Sequence, residues 1–245
     1  VITVACVYKT GGDYDETYVE RLAASVHRML SLPHRFVCLT DVPKRHLNHY
    51  PIDQVIPLER GWPSWWAKME LFGLPGPVLY FDLDTVLTGS IDELATWIVQ
   101  SKNSLLMLRG FYKSDKCSGI LGWNGDLKWI LDAFIEHYAN QATWRKCPNA
   151  TYMLVKRKQF RGDQEWLQSF LPNHPQLSVI LAQDVMSGIY SYKVHVRNNG
   201  SIPQDAKIIC FHGRPRPHEI KNIPWMEKNW NNLIEALGEL EEQSE

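Results

Sequence analysis

The sequence predicts an α/β fold, a single domain built on a mostly parallel central sheet with helices on both faces. Three observations carry that expectation. Short apolar, β-branched runs alternate with segments of helical period through the first half of the chain. Acidic residues stand where two of those runs end, at Asp41 and at Asp82 and Asp84. The 245 residues contain no repeat, no low-complexity tract and no clear linker, which suits one large domain.

Taken in order, Ile2 to Tyr8 reads as a strand by its β-branched content and ends at Gly11-Gly12. Glu16 to Leu30 carries apolar residues at Val19, Leu22, Ala23, Val26, Met29 and Leu30, a helical spacing that Pro33 closes. Arg35 to Thr40 and Val55 to Leu58 read as the next strands. The stretch GWPSWWAKMELFGLPGP reads as a turn and a helix, ended by Gly73 and the pair Pro75 and Pro77. Val78 to Phe81 is a wholly apolar strand, and SIDELATWIVQ behind it is a helix with Ser90 as cap and Glu93 as capping-box partner. Leu105 to Leu108 and Ile120 to Trp123 add short strands. Leu127 to Tyr138 and Gln164 to Phe170 add helices, and Lys207 to Phe211 a late strand. Met226 to Glu242 is amphipathic through Trp230, Leu233, Ile234, Leu237 and Leu240.

Bulk properties narrow the field. The net charge of −1 leaves no footprint for nucleic acid or an anionic membrane in the totals. Cys6, Cys38, Cys117, Cys147 and Cys210 form an odd, scattered set without a CxxC pair, which argues for reduced thiols in a cytoplasmic protein. No apolar run approaches the ~18 residues of a membrane span. The opening VITVACVYKTGG lacks a charged region and a cleavage site, so it reads as a strand rather than a signal peptide.

The stretch VLYFDLDTVLTG sets two aspartates, Asp82 and Asp84, at the end of a buried strand. In an open α/β sheet, ligands bind at the carboxyl ends of strands. Charge left there is costly unless used or paired. Two chemistries use the pattern. Both carboxylates can hold a divalent metal that keeps sites for phosphate oxygens, or Asp82 can attack phosphorus as a nucleophile. FDLDTV resembles the first motif of the haloacid-dehalogenase phosphohydrolases, but that motif normally lies on the first core strand. Here a strand–helix pattern precedes it, and GDQEW at 162–166, the only later acidic candidate, follows no convincing strand.

A second constellation, IICFHGRPRPHEI, delivers His212 to the end of a strand, followed by Gly213 and two Arg-Pro pairs. Imidazole can ligate Mn²⁺, glycine allows close backbone approach, and arginine offers forked donors to phosphate.

Together these segments resemble the GT-A glycosyltransferases, a Rossmann-like fold, and in particular the glycogenin-like retaining enzymes of family 8. Arg216 stands where that family usually has lysine, and His212 directly precedes Gly213 where the family sets it three residues earlier. The resemblance implies Mn²⁺ or Mg²⁺ on Asp82, Asp84 and His212, and a nucleotide sugar, a UDP-sugar, as donor. It implies diphosphate contacts from Gly213, Arg216 and Lys68, the last on WWAKMELF. Tyr8, Lys9, Thr10 and Tyr14 would meet the uracil and ribose. Ser118 and Gly119 in CSGILGWN would line the sugar and acceptor site. Asp163 and Gln164 would face the donor sugar as catalytic residues. Residues 1–125, approximately, would form the nucleotide-sugar half, and residues 126–245 the acceptor side with its carboxyl-terminal helix. SYK at Ser191 to Lys193 recurs in relatives without an assigned role.

The implied reaction is a same-face transfer with retention. The metal and basic groups neutralise the leaving diphosphate, which helps deprotonate the acceptor hydroxyl. If Asp163 were instead a nucleophile, a covalent sugar adduct would be trappable. The acceptor is open among glycan, lipid, protein and modified nucleic acid. Trp62, Trp65 and Trp66 read either as core, as a sugar-stacking wall or as a contact in a homodimer. A non-catalytic nucleotide- or sugar-binding module on the same fold is the reading from outside enzymology.

Overall fold

In a computed structural model, which describes residues 1–47, 52–113, 115–147, 150–155 and 158–233, strand β1 (Ile2–Tyr8) is buried along its whole length. It pairs in parallel with β2 (His34–Thr40) on one side and β4 (Val78–Phe81) on the other. Beyond β2 lies β3 (Gln54–Pro57), also parallel. Beyond β4 lies β7 (Lys116–Trp123), the one antiparallel member, then β6 (Ser104–Arg109) and β11 (Ser178–Leu181), which is parallel to β6. The seven-stranded order is β11-β6-β7-β4-β1-β2-β3. This is the mixed, mostly parallel sheet that the alternating sequence pattern predicts.

Both faces of the sheet are covered, which is why its central strands are apolar throughout rather than alternating. Val4, Cys6, Leu79 and Phe81 face a layer made by α1 (Glu16–Met29) and α2 (Asp92–Gln100), through Leu22, Val26, Leu94 and Ile98. Ala5, Val7 and Tyr80 face the other layer, made by a 3₁₀ helix (Ser64–Gly73), α3 (Lys128–His137) and α4 (Asp163–Phe170). Trp66, Phe134 and Trp166 form its centre, with Trp66 stacked on Phe134 at 5.8 Å and Phe134 edge-on to Trp166 at 4.9 Å. Truncating such a ring to alanine costs about 3–5 kcal/mol. Trp62 and Trp66 are thus core, not a sugar-stacking wall. Trp65 is partly buried and donates its indole N–H to the Arg161 carbonyl at 3.0 Å.

Several local expectations change. The helix expected in 61–77 is a 3₁₀ helix, with Trp66, Ala67, Lys68, Met69, Leu71 and Phe72 all buried. The Ser90–Glu93 capping box does not form. Ser90 Oγ accepts from the Asp92 N–H at 3.2 Å, but Glu93 reaches Lys207 at 3.0 Å instead. The cap that sequence reasoning passed over is Asp15, whose Oδ1 accepts from the Thr17 N–H and opens α1; such caps are worth about 1 kcal/mol. The carboxyl-terminal helix begins at Pro224–Met226 and winds as a π turn over Glu227–Asn231. Its expected continuation through Ile234, Leu237 and Leu240 to Glu242 lies outside the described residues.

Two further sheets come from segments the sequence pattern leaves irregular. β8 (Thr143–Cys147), β9 (Ala150–Val155) and β10 (Lys158–Phe160) form an antiparallel meander. β5 (Thr85–Leu87), β12 (Ile189–Ser191) and β13 (Ile208–Cys210) form a small sheet in the order β12-β13-β5. This second sheet positions the site.

Candidate active site

The strand order reverses at β1: the chain steps outward to β2 and β3, then returns to β4 on the other side. Such a switch point opens a crevice at the carboxyl ends of the strands. On its β2 side stands Asp41, which accepts from the Thr10 N–H at 2.9 Å, from Thr10 Oγ1 at 2.7 Å, and from the Lys9 ammonium. Partial burial works against ionisation there, but these donors outweigh it and hold the Asp41 carboxyl below its usual range. Asp41 was not among the expected site residues; its place at a strand end was the available signal. Tyr8 is buried within the core, and burial, then Glu16, pushes its phenol up to about 12.

On the β4 side lies the Asp82–Asp84 turn, closed by the Thr85 N–H donating to the Asp82 carbonyl at 3.0 Å. Asp82 Oδ1 accepts from Tyr80 Oη at 2.5 Å and from Lys68 Nζ at 3.0 Å. Lys68 also donates to Ser118 Oγ at 3.2 Å and stands 3.4 Å from Asp163 Oδ2, an ion-pair contact without a hydrogen bond. Burial alone would lower the Lys68 ammonium, but Asp163 and Asp82 outweigh it and hold it above the usual lysine value. Burial pushes the Asp163 carboxyl up despite Lys68. Gly119 leaves space in front of Asp82: a Cβ there would come into contact with Asp82 Oδ2 at 3.4 Å. Gln164 is half-buried and makes no side-chain hydrogen bond among the described residues.

Asp84 faces the other way. Its Oδ2 accepts from Tyr14 Oη and from Arg216 Nη1, each at 2.7 Å, and the Arg216 guanidinium lies 4.8 Å over the Tyr14 ring. Tyr14 thus belongs with Asp84, not with Lys9 and Thr10 as the sequence grouping has it. Burial, then the charge of Asp82, pushes the Asp84 carboxyl up to about 6.

The small sheet brings in the distant motif. Thr85 pairs with Cys210 across β5 and β13, and the Phe211 N–H donates to the Asp84 carbonyl at 3.3 Å. His212 follows at once. Its Nε2 meets Ser191 Oγ at 2.7 Å, and its ring stacks near Phe111 with Tyr112 edge-on. Burial, then Lys193, lowers the imidazole from its usual value, a shift toward the neutral form that binds a metal. Gly213 takes the left-handed φ of +69°. Arg216 is further held by Asp13 at 3.3 Å, and Arg214 pairs with Asp13 and Glu219. Asp13 and Tyr80 are thus partners of the candidate site that the sequence motifs do not flag, and Ser191, noted only as part of SYK, gains a partner in His212.

The donor set suits a hard divalent cation: two carboxylates, each with one oxygen free of hydrogen bonds among the described residues, and an imidazole beside them. Among the described residues, no three His, Cys, Asp or Glu side chains already converge as a metal cage. The structure brings Asp82, Asp84 and His212 to one edge, with Asp84 Oδ2 and His212 Nε2 engaged by Tyr14, Arg216 and Ser191.

The fold defined by this sheet and its layers is that of the GT-A glycosyltransferases. The solved glycosyltransferase GlyE of Streptococcus pneumoniae TIGR4 is similar over 98% of this chain, with a TM-score of 0.60 and 15% identity. This chain covers 64% of the length of GlyE. The galactosyltransferase LgtC, solved in complex with donor and acceptor sugar analogs, is similar over 96% of both chains, with a TM-score of 0.57 and 15% identity. At these identities the likeness is one of fold. No family model matches the sequence, and no curated protein matches it.

Proposed function

We propose that this chain is a metal-dependent glycosyltransferase that moves a sugar from a UDP-sugar to an acceptor hydroxyl with retention. The observation that supports this reading best is the β5–β13 pairing. It sets the Asp82–Asp84 turn against the His212–Gly213 turn at the switch point of the sheet.

In this reading Asp82, Asp84 and His212 hold Mn²⁺ or Mg²⁺. When bound, the ion supplies neutralisation of the charge that develops on the departing diphosphate. The other residues act in their own right. Lys9, Thr10 and Asp41 form a polar edge for the nucleoside. Tyr14 fixes Asp84, and Tyr80 with Lys68 fixes Asp82, so neither carboxylate must reorganise as charge moves. Arg216 can pass from Asp84 to a phosphate oxygen. Asp163, whose Oδ2 is buried without a hydrogen bond, faces the sugar with Gln164 and stabilises positive charge at the anomeric carbon or binds its hydroxyls. Ser118 and Gly119 line the sugar side. The departing phosphate oxygen takes the acceptor proton, so no protein nucleophile is required.

Residues 1–125, approximately, would bind the donor and residues 126–245 the acceptor, which is a glycan, lipid, protein or modified nucleic acid hydroxyl; a homodimer would place two such sites in one particle. The unbridged Cys6, Cys38, Cys117 and Cys210 support a cytoplasmic setting. Among the described residues no helix is long and apolar enough to cross a membrane. The test is thermal shift with UDP, with and without Mn²⁺, followed by a hydrolysis screen of nucleotide sugars. Metal-dependent stabilisation and slow hydrolysis of one donor are expected. Cleavage of a generic phosphate ester with no response to UDP would instead make it a phosphohydrolase, and UDP binding with no turnover a binding module.

A further inference from the structure

The segment Ser191–Lys193 stands against the His212–Gly213 turn from a neighbouring strand. β12 and β13 run parallel with Ser191 opposite Cys210. Ser191 is buried, and its Oγ both meets His212 Nε2 at 2.7 Å and accepts from the Val194 N–H at 3.2 Å. It thereby caps a single π turn, Tyr192–Val196, the kind of local winding that concentrates at functional sites. The turn carries Lys193 over the bare backbone of Gly213: a Cβ on that glycine would lie 3.1 Å from Lys193 Nζ.

Charge separates Lys193 from the other cations of the site. Lys68 lies within 3.4 Å of Asp82 and Asp163, Arg216 within 3.3 Å of Asp84 and Asp13, and Arg214 pairs with Asp13 and Glu219. Lys193 has no carboxylate within ion-pair distance among the described residues, and its side chain is only half-buried. A half-exposed ammonium group standing over a glycine at the edge of the crevice is chemistry for a phosphate oxygen.

Resting on the function proposed above, we propose that Lys193 is a diphosphate-binding residue whose ammonium group pairs with a phosphate oxygen of the nucleoside diphosphate above Gly213. Any side chain at position 213 would fill the gap between the cation and its ligand. Because the contact is to phosphate, its contribution should grow from nucleoside to monophosphate to diphosphate.

The experiment is calorimetric titration of uridine, UMP and UDP, with Mn²⁺ at fixed salt, into the wild-type chain, K193Q and K193R. K193Q should weaken UDP by about tenfold, the scale of one charge-assisted hydrogen bond, weaken UMP less and leave uridine unchanged. K193R should recover most of the UDP affinity. Both variants should melt with the wild type, since the Lys193 side chain holds no hydrogen bond among the described residues. UDP binding by K193Q within twofold of wild type would overturn the assignment and leave the transferase reading standing. Equal weakening of all three ligands would overturn it too, as a general disturbance of the site. Absence of metal-dependent UDP binding to the wild-type chain would remove the transferase reading and this inference with it.

Discussion

Lys9 and Lys68 each hold a carboxylate at the same edge of the same sheet, yet they do so under different physical conditions. The Lys9–Asp41 pair keeps 22% and 23% of its side-chain surface in solvent. Lys68 keeps 10% and Asp163 only 5%, while Asp82, the second partner of Lys68 at the cluster's mouth, keeps 35%. A pair open to water exchanges partners cheaply, while a buried cluster must keep its charges matched. The Asp41 end of the crevice is thus built to exchange contacts, and the Asp163 end to hold geometry.

The sharpest way to break this contrast is to remove each cation in turn. Lys68→Met should cost about 3–5 kcal/mol of stability, because it strands the buried carboxylate of Asp163; urea unfolding reads it. The double change with Asp163→Asn should recover part of the loss. Lys9→Met should cost no more than about 1 kcal/mol. Similar losses at both positions would erase the distinction.

Asp84→Asn separates function from stability. It should abolish metal-dependent UDP binding, while the ligand-free chain at pH 7 is no less stable than wild type. The sign follows from Asp84 titrating at about 6 in the folded chain, above its ordinary value of 3.8. The folded state then binds more protons between those values, so Asp84 makes the ligand-free wild type more stable as pH falls from 7 to 5, by on the order of 1 kcal/mol. Thermal melts of the two proteins across that range should diverge accordingly, with the amide variant free of this slope.

A smaller effect is expected at Gly213→Ala. Its φ of +69° strains any Cβ, and the new methyl would press on Lys193, so about 1–2 kcal/mol should be lost together with UDP affinity. The smallest is Asp41→Asn, a half-exposed change that keeps one acceptor for Thr10. It should move the melting temperature little and shift uridine binding rather than the added effect of the phosphates.

Most of the main sheet is legible in the sequence because both of its faces are covered. Ile2–Tyr8, His34–Thr40 and Val78–Phe81 need mostly apolar runs, and such runs are visible without a structure. The small sheet is not. Thr85–Leu87 and Ile189–Ser191 are three residues each, too short for a period to register, and their identity as strands comes from pairing with β13. The meander Thr143–Phe160 carried a usable signal, aromatic and β-branched runs flanking Pro148-Asn149, that reads as a hairpin. At the site, Asp82, Asp84, Lys68 and Arg216 are visible as charges in suggestive places. Their partners Asp13 and Tyr80 are not, since a hydrogen-bond partner leaves no mark on sequence spacing, and Ser191 is visible only as part of SYK, with no role to read.

The pairing of Thr85 with Cys210 also has a consequence in time. A ladder between residues so distant closes only after most of the chain has been made and has collapsed, because long loops must lose their entropy before such contacts form. During synthesis the Asp82–Asp84 turn therefore exists well before the strand that completes its surroundings. The surroundings of that turn are complete only once β13 has docked on β5.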